Sequence, residues 1–213
     1  MDWQALIASQ PALAQVPPAL RKFAKRREIE VGQVLFRIGD RVDSIITVIS
    51  GEVRLVRRDR NGTEVILQRS RGGFIAEASL TSKAYHCDVV AAEKGTVLRF
   101  PVRAFRSALD DDAGFRIAWM DQLAREVRKL RAQCERLSLH GAAARVIHYL
   151  ESEGADGEIE LSQSRKAWAA ELGLTHEALY RALSRLQAEG RLDIDGPRIA
   201  LARSKRSRRP SSV

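Results

Sequence analysis

Cysteine is scarce in this sequence, with 2 residues among 213, Cys87 and Cys134. Two cysteines cannot build a four-cysteine zinc or iron–sulfur site, and these two show no CxxC spacing. Long apolar runs are also missing, since no stretch approaches the ~18 residues that span a bilayer. The first residues lack the basic start and apolar core of a secretory signal. We therefore expect a cytoplasmic chain with no membrane partner, no metal and no cofactor.

Histidine is also sparse, with 4 residues in the chain. The glycine-rich region 31–100 contains only His86, whereas an enzyme on a jelly-roll scaffold needs several histidines and carboxylates that converge in the barrel. The sequence shows no nucleophile elbow, P-loop or metal-binding motif. These absences favour a binding protein over an enzyme.

Positive charge is in excess. The chain has 36 Lys and Arg against 27 Asp and Glu, which gives a net charge of +9 and a pI of about 10.1. Such a balance attracts polyanions and speeds encounter with them. Charge alone leaves nucleic acid, an anionic lipid surface and a merely solvated surface all open.

Short β-rich runs separated by glycines fill residues 31–100. The runs are Val34–Phe36, Ser44–Ile49, Glu52–Arg57, Glu64–Gln68, Asp88–Ala92 and Thr96–Phe100. Asn61-Gly62 between adjacent runs is typical of a type I′ hairpin turn, because both central residues of that turn need positive φ. Many short strands with regular turns predict an antiparallel barrel or roll. Residues 1–30, broken by prolines, predict short helical pieces.

Residues 110–138 change to a helical period. Apolar residues recur at spacings of 3 and 4: Met120, Leu123, Val127, Leu130, Cys134 and Leu137. This a/d pattern predicts the seam of a parallel dimer. A helix packed on its own barrel is the alternative.

Residues 139–202 predict a winged helix. The expected elements are a helix at Gly141–Glu151, helices at Ser164–Leu172 and Thr175–Ala188, and a hairpin of Leu192–Ile194 and Arg198–Leu201. The basic, Ser-rich tail 203–213 predicts disorder. The whole chain then divides into a β-rich region (1–109), a long helix with the predicted dimer seam (110–138), a winged helix (139–202) and the tail, with a hinge at residues 138–140, where one helix changes to the next.

The segment 164–188 meets the mechanical needs of a helix-turn-helix. Ser164 can cap the first helix, which leaves Arg165 and Lys166 in its first turn near a phosphate. Gly173 permits the sharp turn, and Thr175 can cap the second helix through its hydroxyl.

The second helix of this segment has an apolar face and a polar face. Leu179, Leu183 and Leu186 are expected to pack with Trp168 and Leu172 of the first helix. The polar face carries the residues that we expect to enter the major groove: His176, Glu177, Tyr180, Arg181 and Ser184.

Arg181 and Glu177 have side chains suited to base edges. Arg181 suits guanine O6 and N7, and Glu177 suits the amino group of cytosine. Because they are i and i+4 on one helix, a salt bridge between them is the alternative.

Several stretches resemble the Crp/Fnr family of transcription regulators. Residues 31–40 are similar to the family's first roll strands, 49–53 to its "I-x-G-x-V" turn and 73–80 to its phosphate cassette. Residues 175–181 match its recognition helix, including the "E-x-x-x-R" pair. The resemblance covers residues 20–202.

The resemblance implies an α+β fold and a set of partners. The expected architecture is an N-terminal antiparallel β-roll of the cyclic-nucleotide-binding type, a long dimerisation helix and a C-terminal winged helix-turn-helix. The expected partners are double-stranded DNA with a palindromic operator, a second copy of the chain, and RNA polymerase.

The phosphate-holding positions of the family differ in this chain. Cyclic-AMP binders carry an Arg-Ser or Arg-Thr pair where this sequence has His86 and Cys87. A phosphodiester is best held by a permanent, bidentate cation, and His is a poor substitute at neutral pH. We therefore expect DNA binding without added cyclic AMP.

The remaining effector positions match only in part. Glu77, followed by Ala78, matches the family's ribose-contacting glutamate. Leu130 and Arg131 stand where a Thr-Ser pair touches adenine in cyclic-AMP binders. The hydrophobic Leu130 could fill the dimer seam by itself.

His86 and Cys87 leave other sensor chemistries open. Adjacent strand residues point to opposite faces, so the two side chains cannot easily bind one metal together. Either alone could ligate haem iron, and Cys87 could be a redox thiol. The alternative is that Cys87 packs in the roll and His86 makes a local hydrogen bond. The iron–sulfur branch of the family is excluded because residues 1–30 contain no cysteine.

A DNA-binding regulator is thus the first hypothesis. A sensor of the same family for a cyclic nucleotide, haem or thiol redox state, using Glu77, His86 or Cys87, is the second. A module whose output is not DNA, such as a kinase regulatory subunit, is the third, and the segment 164–188 argues against it.

Overall fold

The computed structural model describes residues 1–58, 60, 64–161 and 163–202. The predicted Asn61-Gly62 turn and the predicted disordered tail 203–213 lie outside the described residues. The chain forms two compact units, Met1–Ala124 and Arg125–Val213. The boundary falls inside a long helix.

The first unit is built on two four-stranded sheets whose neighbouring strands are antiparallel. One sheet has the order β1-β8-β3-β6 and the other β2-β7-β4-β5. The strands are β1 (Lys25–Ile29), β2 (Val34–Phe36), β3 (Ser44–Ser50), β4 (Val53–Arg58), β5 (Glu64–Ser70), β6 (Gly73–Ile75), β7 (Asp88–Ala91) and β8 (Gly95–Pro101). The predicted N-terminal antiparallel roll is confirmed.

Helical pieces precede the roll, but they end before β1. The helices are α1 (Trp3–Ser9) and α2 (Pro18–Arg21). The prediction of helical pieces throughout residues 1–30 is therefore wrong for residues 25–29. β1 buries only Ile29 and exposes its charged residues, so its sequence shows no apolar alternation. An edge strand tolerates this pattern, because exposed charges keep other strands from pairing with it.

The predicted single helix over residues 110–138 starts earlier and is interrupted. The structure has α3 (Val102–Asp111) and then α4 (Ala113–Ser138). Asp112 makes the break: its backbone is extended, and its Oδ1 accepts a hydrogen bond from the Phe115 N–H at 2.8 Å, which caps α4. The Trp119 ring on α4 packs edge-on against Phe105 at 4.8 Å, so the start of α4 is fastened to the core of the roll.

The second unit contains a winged helix. Its helices α5 (Ala142–Glu153), α6 (Arg165–Glu171) and α7 (His176–Ala188) accompany a three-stranded sheet of order β10-β11-β9. The strands are β9 (Glu158–Glu160), β10 (Leu192–Asp195) and β11 (Arg198–Leu201). The last two are the predicted hairpin, whereas β9 has three residues and too little sequence for a periodic signal. Gly141 lies outside α5, with φ of +92°, so this helix begins after the predicted start.

Candidate DNA-binding surface

Side-chain caps set the starts of α6 and α7. Ser164 Oγ accepts a hydrogen bond from the Ala167 N–H at 3.2 Å, and Thr175 Oγ1 accepts one from the Ala178 N–H at 3.2 Å. Each cap satisfies a backbone donor that has no partner inside its own helix. Gly173 takes φ of +64° between the two helices. The predicted caps and turn are confirmed.

The buried face of α7 decides which side of the helix is exposed. Leu179, Leu183 and Leu186 are at most 2% exposed, and Trp168 and Leu172 beside them are 0% exposed. Full burial of one leucine side chain is worth about 1.5–3 kcal/mol. Several such contributions fix the rotation of α7 about its own axis, and the predicted packing is confirmed.

The opposite face of α7 presents the predicted base-reading residues to solvent. All of them are exposed: His176, Glu177, Tyr180, Arg181 and Ser184. Thr175, which caps the helix before them, is exposed as well. A recognition helix offers the residues of its N-terminal half to the major groove. The exposure is what this role requires, and the individual DNA contacts stay predictions.

Aromatic and cationic groups order the start of α7. The rings of His176 and Tyr180 lie 4.6 Å apart, and the Arg165 guanidinium lies 5.4 Å from the Tyr180 ring. Arg165 Nη2 also donates to the Gly196 carbonyl at 3.4 Å, in the turn between β10 and β11. Arg165 therefore links α6, α7 and the wing, while Lys166 beside it is exposed. No sequence pattern indicates this link, since it joins residues far apart in the chain.

Glu177 and Arg181 form no ion pair within the part of the chain that the structure describes. The pKa of Glu177 lies below its usual value, first because its own backbone N–H donates to the carboxylate and then because the Thr175 hydroxyl does. The positive charge of Arg181 also lowers this pKa, but by less than either hydrogen bond does. The carboxylate is thus held at the start of α7, and the Arg181 guanidinium projects from the exposed face.

α4 exposes most of the predicted dimer seam. The exposed positions are Met120 (61%), Val127 (45%), Leu130 (56%), Leu137 (44%) and Cys134. Ile117 is 60% exposed and lies one turn before Met120, although the predicted seam did not include it. Leu123 is partly buried against the core of the roll, so here the alternative of packing on the chain's own barrel applies. A row of exposed apolar side chains at helical spacing indicates a contact surface.

The cassette residues surround a 3-10 turn in the first unit. Glu77 starts this turn and is partly buried, and Ala78 after it is exposed. His86 is exposed, and its Nδ1 lies 2.8 Å from Ser79 Oγ. His86 thus has the local hydrogen bond that one of the alternatives predicts.

Cys87 lies in the core of the roll and is 1% exposed. Burial, and after it the nearby negative charge of the Glu77 carboxylate, raises the pKa of its thiol to about 11. Only the thiolate is reactive, so a raised pKa makes a thiol inert. The environment of Cys87 favours a packing role over redox sensing.

The folded protein is expected to protect Cys87 from thiol reagents. With a pKa of about 11, only on the order of 0.1% of this thiol is ionised at pH 8. A Cys134→Ser variant leaves Cys87 as the sole thiol, and we expect it to react with a chromogenic thiol reagent only after denaturant is added. Rapid, stoichiometric labelling of the folded variant would contradict this placement.

Leu130 and Arg131 are exposed on α4 in the second unit, whereas Glu77, His86 and Cys87 belong to the first. Across the described ranges, no group of three or more His, Cys, Asp or Glu side chains is arranged to hold a metal ion. None of the described helices is long and apolar enough to cross a membrane.

Comparison with known proteins places this geometry in a family. A cyclic nucleotide-binding domain model matches residues 26–112, and a Crp-like helix-turn-helix domain model matches residues 144–206. The anaerobic regulatory protein of Haemophilus influenzae is 27% identical over 190 residues, which are 83% of this chain and 72% of that protein. The fumarate and nitrate reduction regulatory protein of Salmonella typhi is 24% identical over 193 residues, which are 84% and 76% of the two chains.

A solved structure shows the same fold. FixK2 from Bradyrhizobium japonicum superposes with a TM-score of 0.64 at 22% identity, over 84% of this chain and 92% of that chain. The matched models cover the roll and the winged helix in the same order as here, and both relatives are regulatory proteins. The chain belongs to the Crp/Fnr family of DNA-binding transcription regulators.

Proposed function

We propose that α7 enters the major groove of double-stranded DNA and reads base edges with its exposed face. The observation that supports this is the division of α7 into a buried leucine face and an exposed polar face at its capped N-terminal end. His176, Glu177, Tyr180, Arg181 and Ser184 are the proposed readers. Arg181 would bind guanine through two hydrogen bonds, and Glu177 would accept one from the amino group of cytosine.

Contacts to the phosphates come from the neighbouring helix in this proposal. Arg165 and Lys166, in the first turn of α6, neutralise phosphate charge and set the register of the domain on the duplex. Ser164 and Thr175 act through their caps, which hold the starts of α6 and α7 in place.

We infer that the protein acts as a homodimer through α4. Two helices with apolar a and d positions bury those side chains against each other, and the seam on α4 is largely exposed in the single chain. A two-fold dimer presents its recognition helices to half-sites about one helical turn, or ~34 Å, apart. The operator is then palindromic.

The remaining roles follow the proposed division of the chain. Residues 1–109 serve as the sensor, 110–138 as the dimerisation helix and 139–202 as the DNA-binding domain, and RNA polymerase is the further partner of the bound dimer. Cyclic AMP is not expected to be required. Neither His86, hydrogen-bonded to Ser79, nor the buried Cys87 supplies the permanent cation that a cyclic phosphate needs.

Selection from random DNA tests the proposal. The purified protein, without added cyclic nucleotide, is incubated with a randomised duplex library at a stated salt concentration, because phosphate contacts make affinity depend on salt. We expect a two-fold symmetric motif with half-sites one helical turn apart. Recovery of no symmetric motif, or of one only after cyclic AMP is added, would count against the proposal.

Replacing Arg181 with Ala is expected to weaken operator binding at one base pair per half-site. Loss of a bidentate contact to guanine costs about 1–3 kcal/mol and relaxes the preference at that position. The measurement is the affinity for the operator and for its single base-pair variants. Arg185→Ala is a matched control, since Arg185 is exposed one turn later on α7 and pairs with Glu189. An equal loss on every sequence would make Arg181 a phosphate contact instead.

A further inference from the structure

Arg145, in the first turn of α5, joins the ends of α4 and α6. Its Nε donates to the Leu139 carbonyl at 3.1 Å and its Nη2 to the Leu137 carbonyl at 3.0 Å, at the end of α4. Its Nη1 donates to the carbonyls of Leu172 at 3.2 Å and Gly173 at 2.9 Å, at the end of α6. This side chain therefore connects the end of the proposed dimerisation helix with the turn of the helix-turn-helix.

The chemistry of both partners suits this connection. The last carbonyls of a helix have no N–H partner inside the helix and carry partial negative charge. A guanidinium is permanently charged and holds its N–H groups in a rigid planar fork. Because the acceptors are all backbone carbonyls, the bonds fix the chain itself and not a mobile side chain.

The turn rests closely on the end of α4. A Cβ atom built on Gly173 would lie 2.7 Å from Leu137 Cδ2 and 3.0 Å from Arg145 Nη1, so a side chain at this position would displace the ends of both residues. α7 begins at His176, just after this turn. The N-terminal end of the recognition helix is thus placed by a turn that is itself held on α4.

A second arginine, Arg136, is buried on the N-terminal side of the predicted hinge and connects α4 to α5. Arg136 on α4 is 1% exposed, donates to Glu153 Oε1 at 3.0 Å and places its guanidinium 4.5 Å from the Tyr149 ring. Residues 138–140 therefore lie between the attachments made by Arg136 and Arg145. The end of α4 and the helix-turn-helix are held together across the hinge segment.

We propose that Arg145 is a positioning residue for DNA recognition. It holds the turn of the helix-turn-helix on the end of α4, and so fixes the distance and angle between the two recognition helices of the dimer. In this role Arg145 touches no base; it makes the dimer select half-sites at one spacing. The proposal rests on the proposed function, because it needs a dimer and an operator with two half-sites.

The spacing between the operator half-sites distinguishes a positioning role of Arg145 from a direct contact with DNA. The selected operator is compared with versions in which one base pair is inserted or removed between the half-sites, and with an isolated half-site. We expect Arg145→Met to weaken binding to the native operator by about tenfold, or about 1.4 kcal/mol, because the dimer must then order its recognition helices on binding. The half-site should lose less than about threefold, and the preference for the native spacing should flatten.

Two further variants, Arg145→Lys and a substitution of a distant arginine, are compared with Arg145→Met. Lysine keeps the charge but lacks the planar fork, so Arg145→Lys should flatten the spacing preference as Arg145→Met does. Arg103→Met, at an exposed position on α3, removes the same charge and should keep the wild-type preference. If Arg145→Met and Arg145→Lys keep the wild-type spacing preference, or lose half-site and operator binding equally, the proposal is overturned.

A distance measurement in the free dimer does not need an operator. A spin label at Gln187→Cys, exposed on α7, in a Cys134→Ser background reports the separation of the two recognition helices. We expect a narrow distribution of distances with Arg145 and a broad one with Arg145→Met. An unchanged distribution would overturn the proposal. Failure to select any symmetric operator with the wild-type protein would instead contradict the proposed function, while this measurement still decides the role of Arg145.

Discussion

Replacing Leu130 with Glu is expected to convert the dimer into a monomer and to lower operator affinity by about 10²-fold or more. Leu130 lies at the middle of the exposed apolar row on α4 and is 56% exposed in the single chain. In a parallel dimer the two copies of this residue face each other, so the substitution would bury two carboxylates at the seam without a partner. Unpaired buried charge is strongly unfavourable.

The loss of affinity follows from the loss of the second half-site. Tethering two DNA-binding domains makes the second contact intramolecular, and this avidity disappears when the helices separate. Sedimentation equilibrium gives the oligomeric state, and titration of the operator and of a half-site gives the two affinities. Half-site binding should change far less than operator binding.

Arg128→Ala is the matched control for this substitution. It lowers the net charge by one, as Leu130→Glu does, at an exposed position on the same helix that is outside the apolar row. We expect it to leave the dimer intact and to change DNA affinity only through salt-dependent attraction. A Leu130→Glu protein that remains a dimer would refute the assignment of this face as the seam.

The elements that local rules specify were predictable from the sequence. The caps at Ser164 and Thr175 and the turn at Gly173 follow from the chemistry of single residues, and the leucine face of α7 follows from helical spacing. The structure has all of these features. The proposed DNA-binding surface is built from these features, so local sequence rules were sufficient to locate it.

Features that depend on distant partners were not predictable in the same way. β1 is a strand because it pairs with β8, although its own residues are mostly charged and exposed. The break at Asp112 needs a side chain that caps α4, which competes with an otherwise continuous helical period. Arg145 binds carbonyls contributed by two other segments, and side chain to backbone contacts leave no periodic trace in the sequence.

At the predicted sensor positions, the residue types leave more than one role open, and the structural environment distinguishes between those roles. Sequence alone left Cys87 open as a thiol sensor or a packing residue. Its burial and raised pKa favour packing, and the contact between His86 and Ser79 gives the histidine a local partner. The roll therefore has the family fold, while His86 and Cys87, which the resemblance aligns with the phosphate-holding positions, have local contacts of their own.

Trp168→Ala is expected to unfold the winged helix and abolish specific DNA binding. The Trp168 ring is 0% exposed, packs edge-on with Tyr149 at 5.5 Å, and lies in the same core as Leu179 and Leu183. Truncation of a buried Trp costs about 3–5 kcal/mol, and a whole domain is stable by only about 5–15 kcal/mol. Hydrogen exchange should show lost protection in α6 and α7, whereas the roll, which has its own core, should keep its protection.

The Trp168→Phe variant tests whether stability depends on the packing of the aromatic ring or on the polar Nε1 atom of the indole. The Trp168 indole Nε1 is buried and has no hydrogen-bond partner among the described residues, so Phe removes no hydrogen bond. The substitution loses only part of the ring volume, and we expect a cost below about 1.5 kcal/mol with operator binding retained. Equal effects of the Ala and Phe substitutions on thermal unfolding would show that the packing of the ring is not what holds α6 and α7 together.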